Sequence, residues 1–423
     1  MVATISDSRL FRNKLLCYLM IIFVLGTLLR IAPIIYMEIK SPGWHEQNIN
    51  EIEFYYDDVA RSLLIGKGFV HSVNPRIDNY KYKFEPGTPF NFVPPLYAWL
   101  LYLVYSVAGP SVFVAKLLQS VMDATVIFLL YQLGSKIFND KRISVLAGIL
   151  YAIYPLAIVM CSTLYYQIPM NLVLCWLVIC FMSVPTIYNG IWTGIALGVA
   201  TLAKPVTLPL IVVMPFVRLI ETIFGNKAFM QTFKWVVFFL LAVILALTPW
   251  TIRNYKVFNE FVPVQKGANA PLLQGSREDF IDLDVNSLRV KYGQTFGIDP
   301  KDYTKVAIYN HLNHFKNNPL DYFRLLGKKF FLSWYNTEGK KKNGVVLLIQ
   351  IPFLSFALVS LFLSGKTWCC KSNWYVPGII VFICGVEVIF FPLMRYTLVV
   401  MPFVMLMAAH GAYIVWNKLT GKV

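Results

Sequence analysis

Within NEIEFYYDDVARSLLIGKGF, residues 50–69, Glu53 and Asp57 stand four residues apart, as do Glu51 and Tyr55. On a helix each pair shares a face. The segment predicts an amphipathic helix with carboxylates clustered at its start, Ile52, Val59 and Leu63 on its apolar side, and Gly66 and Gly68 to stop it. Carboxylates gathered beside a bilayer serve as a general base or as metal ligands. Acids also suit the first turn of any helix. A second group lies in TPWTIRNYKVFNEFVPVQKG, residues 248–267, where Arg253, Asn254, Tyr255 and Lys256 follow an apolar run at headgroup height. Arginine grips a phosphate with two parallel hydrogen bonds, whereas lysine acts as a point charge. Simple interfacial anchoring uses the same residue types.

A third set comprises Arg30, Lys116, Asp123, Lys204, Glu387 and Arg395, ionisable groups in or at the ends of apolar runs. Such groups are costly in a membrane and functional by default. Lys116 and Asp123, seven apart on one helical face, are placed for an ion pair. Arg30, Lys204 and Arg395 all fall near the outer ends of runs, and one shared basic pocket explains them together.

The elements that must hold these residues are apolar. Of 423 residues, 57% are hydrophobic and 14% charged, against roughly 45–50% and about 25% in soluble domains. That excludes cytosolic enzymes, disulfide scaffolds and disordered tails. At about 20 residues per crossing, the runs accommodate about ten transmembrane helices. They are Leu15–Tyr36, Ser111–Leu133, Ile143–Cys161, Ile168–Val184, Ile191–Ala203, Val206–Ile220, Trp235–Trp250, Gly344–Leu363, Val376–Phe391 and Thr397–Trp416. Pro95–Ala108, with 14 residues, is too short to span about 30 Å and reads as an interfacial helix. The first run lacks a small-residue exit and reads as a membrane helix, not a cleaved leader. The seven cysteines form no framework and read as small core hydrophobes.

Charge sets the orientation. With ten spans, both termini and the loops at 134–142, 185–190, 218–234 and 364–375 share one side and hold 13 bases against 3 acids. Segment 38–110 holds 6 bases and 8 acids. The positive-inside rule therefore puts both termini in the cytoplasm. Segment 251–342, with 15 bases and 9 acids, is basic on the outer side. That suits either an ordinary soluble face or a cationic surface for an anionic ligand. The reading divides the chain into 1–250, an N-terminal membrane module, 251–342, an outer segment, and 343–423, the closing helices.

YYDDVARSLLIGKGF, VPPLYAWLLYLVYSVAG, GIALGVATLAKP, TPWTIRNYKVFNEFVPV and MRYTLVVMPFVMLMAAHG occur in an order that resembles polyprenyl-phosphate-sugar-dependent glycosyltransferases of the GT-C superfamily. The resemblance extends to the bacterial relatives of protein O-mannosyltransferases and to aminoarabinose transferases. It covers about residues 50–270 and the last two spans. It implies an all-α integral membrane protein of GT-C type, in a bacterial inner membrane with its active site facing outward. The implied activity is transfer of a monosaccharide, with inversion, from a polyprenyl-phosphate donor to a glycan, lipid or protein hydroxyl. Membrane lipid is the surrounding partner, and no nucleic acid is involved. In that register Glu53 is the implied catalytic base, with Glu51 and Asp57 as alternatives. Arg253, Lys204, Arg395, Tyr255, Tyr396 and Arg30 are the implied donor-phosphate residues. No cofactor is required, and Gln167, standing where relatives often carry an acid, tells against a divalent-metal variant. The rival classes are a flippase for lipid-linked sugars and a ligase or polymerase using diphosphate-linked donors.

Overall fold

The structure is a computed structural model that describes residues 2–71, 87–225, 228–278, 298, 302–337, 340–370 and 372–421, with the side chains of 2–13, 51, 340 and 341 left out. The helices in chain order are α1 (Val2–Lys40), α2 (Trp44–Gln47), α3 (Glu51–Leu64), α4 (Pro95–Ala108), α5 (Val112–Ala124), α6 (Val126–Ile137), α7 (Lys141–Ala152), α8 (Pro155–Met160), α9 (Gln167–Phe181) and α10 (Ile187–Ala203). They continue with α11 (Leu210–Phe224), α12 (Phe229–Phe258), α13 (Asn269–Gly275), α14 (Tyr303–Asn317), α15 (Pro319–Leu332), α16 (Lys340–Leu363), α17 (Gly365–Cys369), α18 (Tyr375–Glu387), α19 (Met394–Thr397) and α20 (Met401–Leu419). Among the described residues, β pairing is confined to one bridge between Val70 and Pro89. The fold is all-α, as its composition requires.

Six helical stretches are long and apolar enough to cross a membrane: Lys14–Lys40, Val112–Ile137, Pro205–Phe224, Phe229–Phe258, Lys342–Leu363 and Met394–Leu419. Gln167–Phe181, Ile187–Ala203 and Tyr375–Glu387 are shorter apolar helices that match three of the spans expected from sequence. The expected span Ile143–Cys161 is broken at Ile153–Tyr154, where Pro155 opens a new helix and cannot continue the old one. Pro95–Ala108 keeps its 14 residues. The Val112 amide, just beyond it, donates to Glu46 Oε1 at 2.6 Å, which ties the start of α5 to α2.

Close approach of α10 and α12 sets the depth of the bundle. Gly190, Gly194 and Gly198 recur every four residues, and a Cβ at any of them would overlap α12, at Trp235, at Phe239 and Ala242, and at Ala246 respectively. In lipid, where apolar burial gives no net drive, such small-residue contact supplies the packing that holds helices together. It fixes the end of α10, and with it Lys204. Arg30 and Asp123, both wholly buried, pair at 2.7 Å, while Tyr151 donates to the other carboxylate oxygen at 2.7 Å. The ion pair expected between Lys116 and Asp123 does not form, because each has a nearer partner on another element.

Candidate active site

Helix ends from separate parts of the chain converge on a cavity of about 380 Å³. Its walls include Ile52 and Tyr56 of α3, Tyr165 and Tyr166 before α9, and Lys204 to Pro209 after α10. Pro271 of α13, Glu387 of α18, and Arg395 and Tyr396 of α19 complete it. Pro205 prevents Lys204 from remaining helical, and Lys204 is extended at φ −157°, ψ 127°. Its Nζ lies 2.9 Å from Glu387 Oε1, 3.6 Å from the ring centre of Tyr396 and 5.0 Å from that of Tyr166. Lys204 and Glu387 thus form a close ion pair inside the cavity. Arg395 stands 5.8 Å from the Tyr165 ring and 5.4 Å from that of Tyr396. Two cations therefore share a small cavity walled by tyrosines, and attraction to the ring faces offsets part of their desolvation.

Gln167 has a structural task here. Its amide donates to the Arg395 carbonyl at 3.0 Å, fixing the turn that presents Arg395. A carboxylate at 167 would lack that donor.

Glu53 sits one layer behind the wall. Asn50 caps α3, accepting from the amides of Ile52 and Glu53. Its side chain also donates to the Glu53 carboxylate and accepts from the Tyr165 hydroxyl at 3.0 Å. Glu53 Oε2 lies 3.6 Å from Lys116 Nζ and has no hydrogen-bond partner. Burial raises the Glu53 carboxyl above its ordinary range, and the neighbouring Lys116 cation partly opposes that rise. Asp57 does not reach the cavity. It receives Arg61 Nε at 2.8 and 2.9 Å and the Tyr105 hydroxyl at 2.6 Å, contacts that its position on the same helical face did not reveal. The Glu51 side chain lies outside the described residues.

The basic pocket expected from sequence loses three members. The Arg253 guanidinium donates to the Phe69 carbonyl at 2.7 Å, the Phe90 carbonyl at 3.1 Å and Asn254 Oδ1 at 3.1 Å. It also lies 4.9 Å from the Trp250 ring centre. This clamps the loop before α4 onto the end of α12 and leaves the cavity to Lys204 and Arg395. Arg30 is held by Asp123 and by the carbonyls of Gly26, Tyr151 and Ala152. Tyr255 is exposed on the flank of α12. Sequence reading had noticed Glu387 without giving it a role. Its signal was an acid closing an apolar run a few residues before MRY.

The archaeal oligosaccharyltransferase AglB from Archaeoglobus fulgidus, in complex with an inhibitory peptide and a dolichol-phosphate, matches this architecture. The TM-score is 0.56 at 14% identity, over 96% of this chain and 50% of that one. The chain has the GT-C fold. A second structure of the Archaeoglobus fulgidus enzyme, with Zn and sulfate, matches this chain with TM-score 0.54 at 14% identity, over 95% and 49%. The chain thus spans about half the length of these oligosaccharyltransferases. ArnT from Cupriavidus metallidurans, bound to undecaprenyl phosphate, aligns at TM-score 0.41 and 12% identity, over 97% and 79%. Residues 93–252 match the family described as dolichyl-phosphate-mannose-protein mannosyltransferase. That stretch runs from the cavity wall before α4 to the last turns of α12. No curated protein matches the chain by sequence.

Proposed function

We propose that this protein is an inverting glycosyltransferase that moves a monosaccharide from a polyprenyl phosphate to a hydroxyl acceptor. The observation that carries the reading is Lys204, an ammonium paired with Glu387 at 2.9 Å, beside Arg395 in a tyrosine-walled cavity at the helix ends. The match to a dolichyl-phosphate-mannose family and the dolichol-phosphate in the AglB complex support the same donor class. The acceptor oxygen attacks the anomeric carbon as the bond from that carbon to the phosphate oxygen breaks. The phosphodiester leaves as a monoester and gains negative charge. Fixed cations then favour the transition state over the ground state. Lys204 exchanges its contact with Glu387 for the phosphate, and Arg395 supports the opposite oxygen. Glu53 takes the acceptor's proton, and burial, by raising its carboxyl, strengthens it as a base. Rotation of the Asn50 side chain, which separates it from Tyr165, opens its path.

The excess of bases in the loops at the opposite end of the bundle favours a cavity on the non-cytoplasmic face. A flippase would not need a buried carboxylate beside the cavity. The deciding experiment incubates purified protein with a panel of polyprenyl-phosphate sugars and matching diphosphates and identifies products by mass spectrometry. Transfer from monophosphates alone is the expected result, and transfer from diphosphates alone would overturn the donor assignment.

A further inference from the structure

The cavity is one of two concave sites that share α13. Ala268 and Pro271, at the start of this seven-residue helix, line the donor cavity. Ser276, Arg277 and Glu278, just past its end, line a second cleft of about 820 Å³. At 1.5 Å per residue, α13 separates the two by roughly 10 Å. The divider is fixed in place. Gly275 lies so close to the backbone of Ile389 and Phe390 that a Cβ would overlap it, the Phe391 amide donates to the Pro271 carbonyl at 3.0 Å, and the wholly buried Lys329 donates to the Gly275 carbonyl at 2.9 Å.

The far wall of the cleft is α14, which presents Asn310, Asn313, His314 and Asn317 along one face. Asn310 donates to Ser276 Oγ and Asn317 to Asn313 Oδ1, each at 3.1 Å; the carboxamide groups that these bonds leave over offer donors and acceptors side by side, the pattern that adjacent sugar hydroxyls match. Among the described lining residues one base, Arg277, and one acid, Glu278, offset each other, which suits a neutral polyhydroxyl chain. The other side of α14 exposes Ile308, Leu312 and Phe315. An amphipathic helix of this kind rests its apolar side in the bilayer interface and holds the cleft at the membrane surface.

We infer that the cleft between α13 and α14 binds a glycan acceptor and directs its terminal hydroxyl over α13 into the donor cavity. The inference rests on the glycosyltransferase reading and adds the acceptor class and its binding face.

The test uses Asn317→Cys in the full chain, labelled from outside with a membrane-impermeant polyethylene-glycol maleimide, beside the equally treated native protein. Binding of a polyprenyl-phosphate sugar is measured by titration, and incorporation of its radiolabelled sugar is measured in source membranes. Labelling should lower incorporation at least tenfold while donor affinity stays within twofold. A second variant, Asn313→Ala with Asn317→Ala, should raise the concentration of membrane-derived glycan needed for half-maximal rate, with maximal rate kept. Full incorporation by the labelled protein would overturn the cleft assignment, and protease-sensitive product would overturn the glycan class. If the native protein binds no donor and transfers no sugar, the glycosyltransferase reading fails first and the inference falls with it.

Discussion

Lys204 and Glu387 close the ends of two different helices and meet at 2.9 Å inside the cavity. The acid holds the cation in position as an ion pair at the cavity wall. A buried pair that loses one member leaves an uncompensated charge, costing about 3–5 kcal/mol. Lys204 is 16% exposed, which moderates that figure. Lys204→Met should therefore destabilise the protein and weaken donor binding at least tenfold. Adding Glu387→Gln should recover stability but not affinity. Thermal melts with donor titrations on the native protein and the two variants check this, and recovered affinity in the double variant would remove Lys204 from the phosphate site.

Glu53→Gln should lower transfer by about 10²–10⁴-fold, the usual range for losing a general base, with donor affinity retained. Because burial raises the Glu53 carboxyl, the rate should climb with pH through a region above the ordinary carboxylate range. Lys116→Met removes the cation that opposes the rise and should move that limb to higher pH. Transfer within threefold of native for Glu53→Gln would transfer the role to Glu387 or Glu51, each tested by the same substitution.

Arg253→Ala should destabilise the protein by about 1–3 kcal/mol, since a charged donor loses its carbonyl partners at a partly buried position. Donor affinity should remain within threefold. Arg253→Lys should recover only part of the stability, because a single ammonium cannot reproduce the planar fork. A selective loss of donor binding in a stably folded Arg253→Ala would return this residue to the phosphate site.

Burial lowers the Lys329 ammonium from its ordinary 10.5 to about 7. Between these values the unfolded chain binds a proton that the folded chain does not, so stability should rise with pH across that interval. Lys329→Met should flatten the slope. Hydrogen exchange in α13 and α15 between pH 7 and pH 10 is the measurement, and an unchanged slope in the variant would contradict it.

Most of the apolar spans were legible in the sequence because lipid demands continuous runs; the break before Pro155 inside the Ile143–Cys161 run was not. LAKP and MRY were legible as cavity positions because a proline or a short turn at a helix end fixes where the side chain goes. The partners of the buried ions were not legible. Spacing on one helix suggested Lys116 with Asp123, yet Glu53 and Arg30 arrive from other elements. Arg253 shows the same limit: its carbonyl partners, Phe69 and Phe90, are backbone groups, and their residue types carry no signal for such a contact. The role of α13 as a divider was not legible either, since the close approach of Gly275 to Phe390 joins segments more than a hundred residues apart.

The Arg30–Asp123 pair has a consequence for biosynthesis. Ninety-three residues separate its members, and at about 5–20 residues per second the ribosome needs roughly 5–20 s to supply the second after the first. During that interval the first helix carries an unpaired guanidinium, a burden of about 2.5–3.5 kcal/mol at mid-bilayer. It must therefore wait beside the insertion machinery, or with its charge drawn toward the lipid surface, until α5 emerges. Assembly acquires an order from this alone, in which α1 commits to lipid as half of a pair.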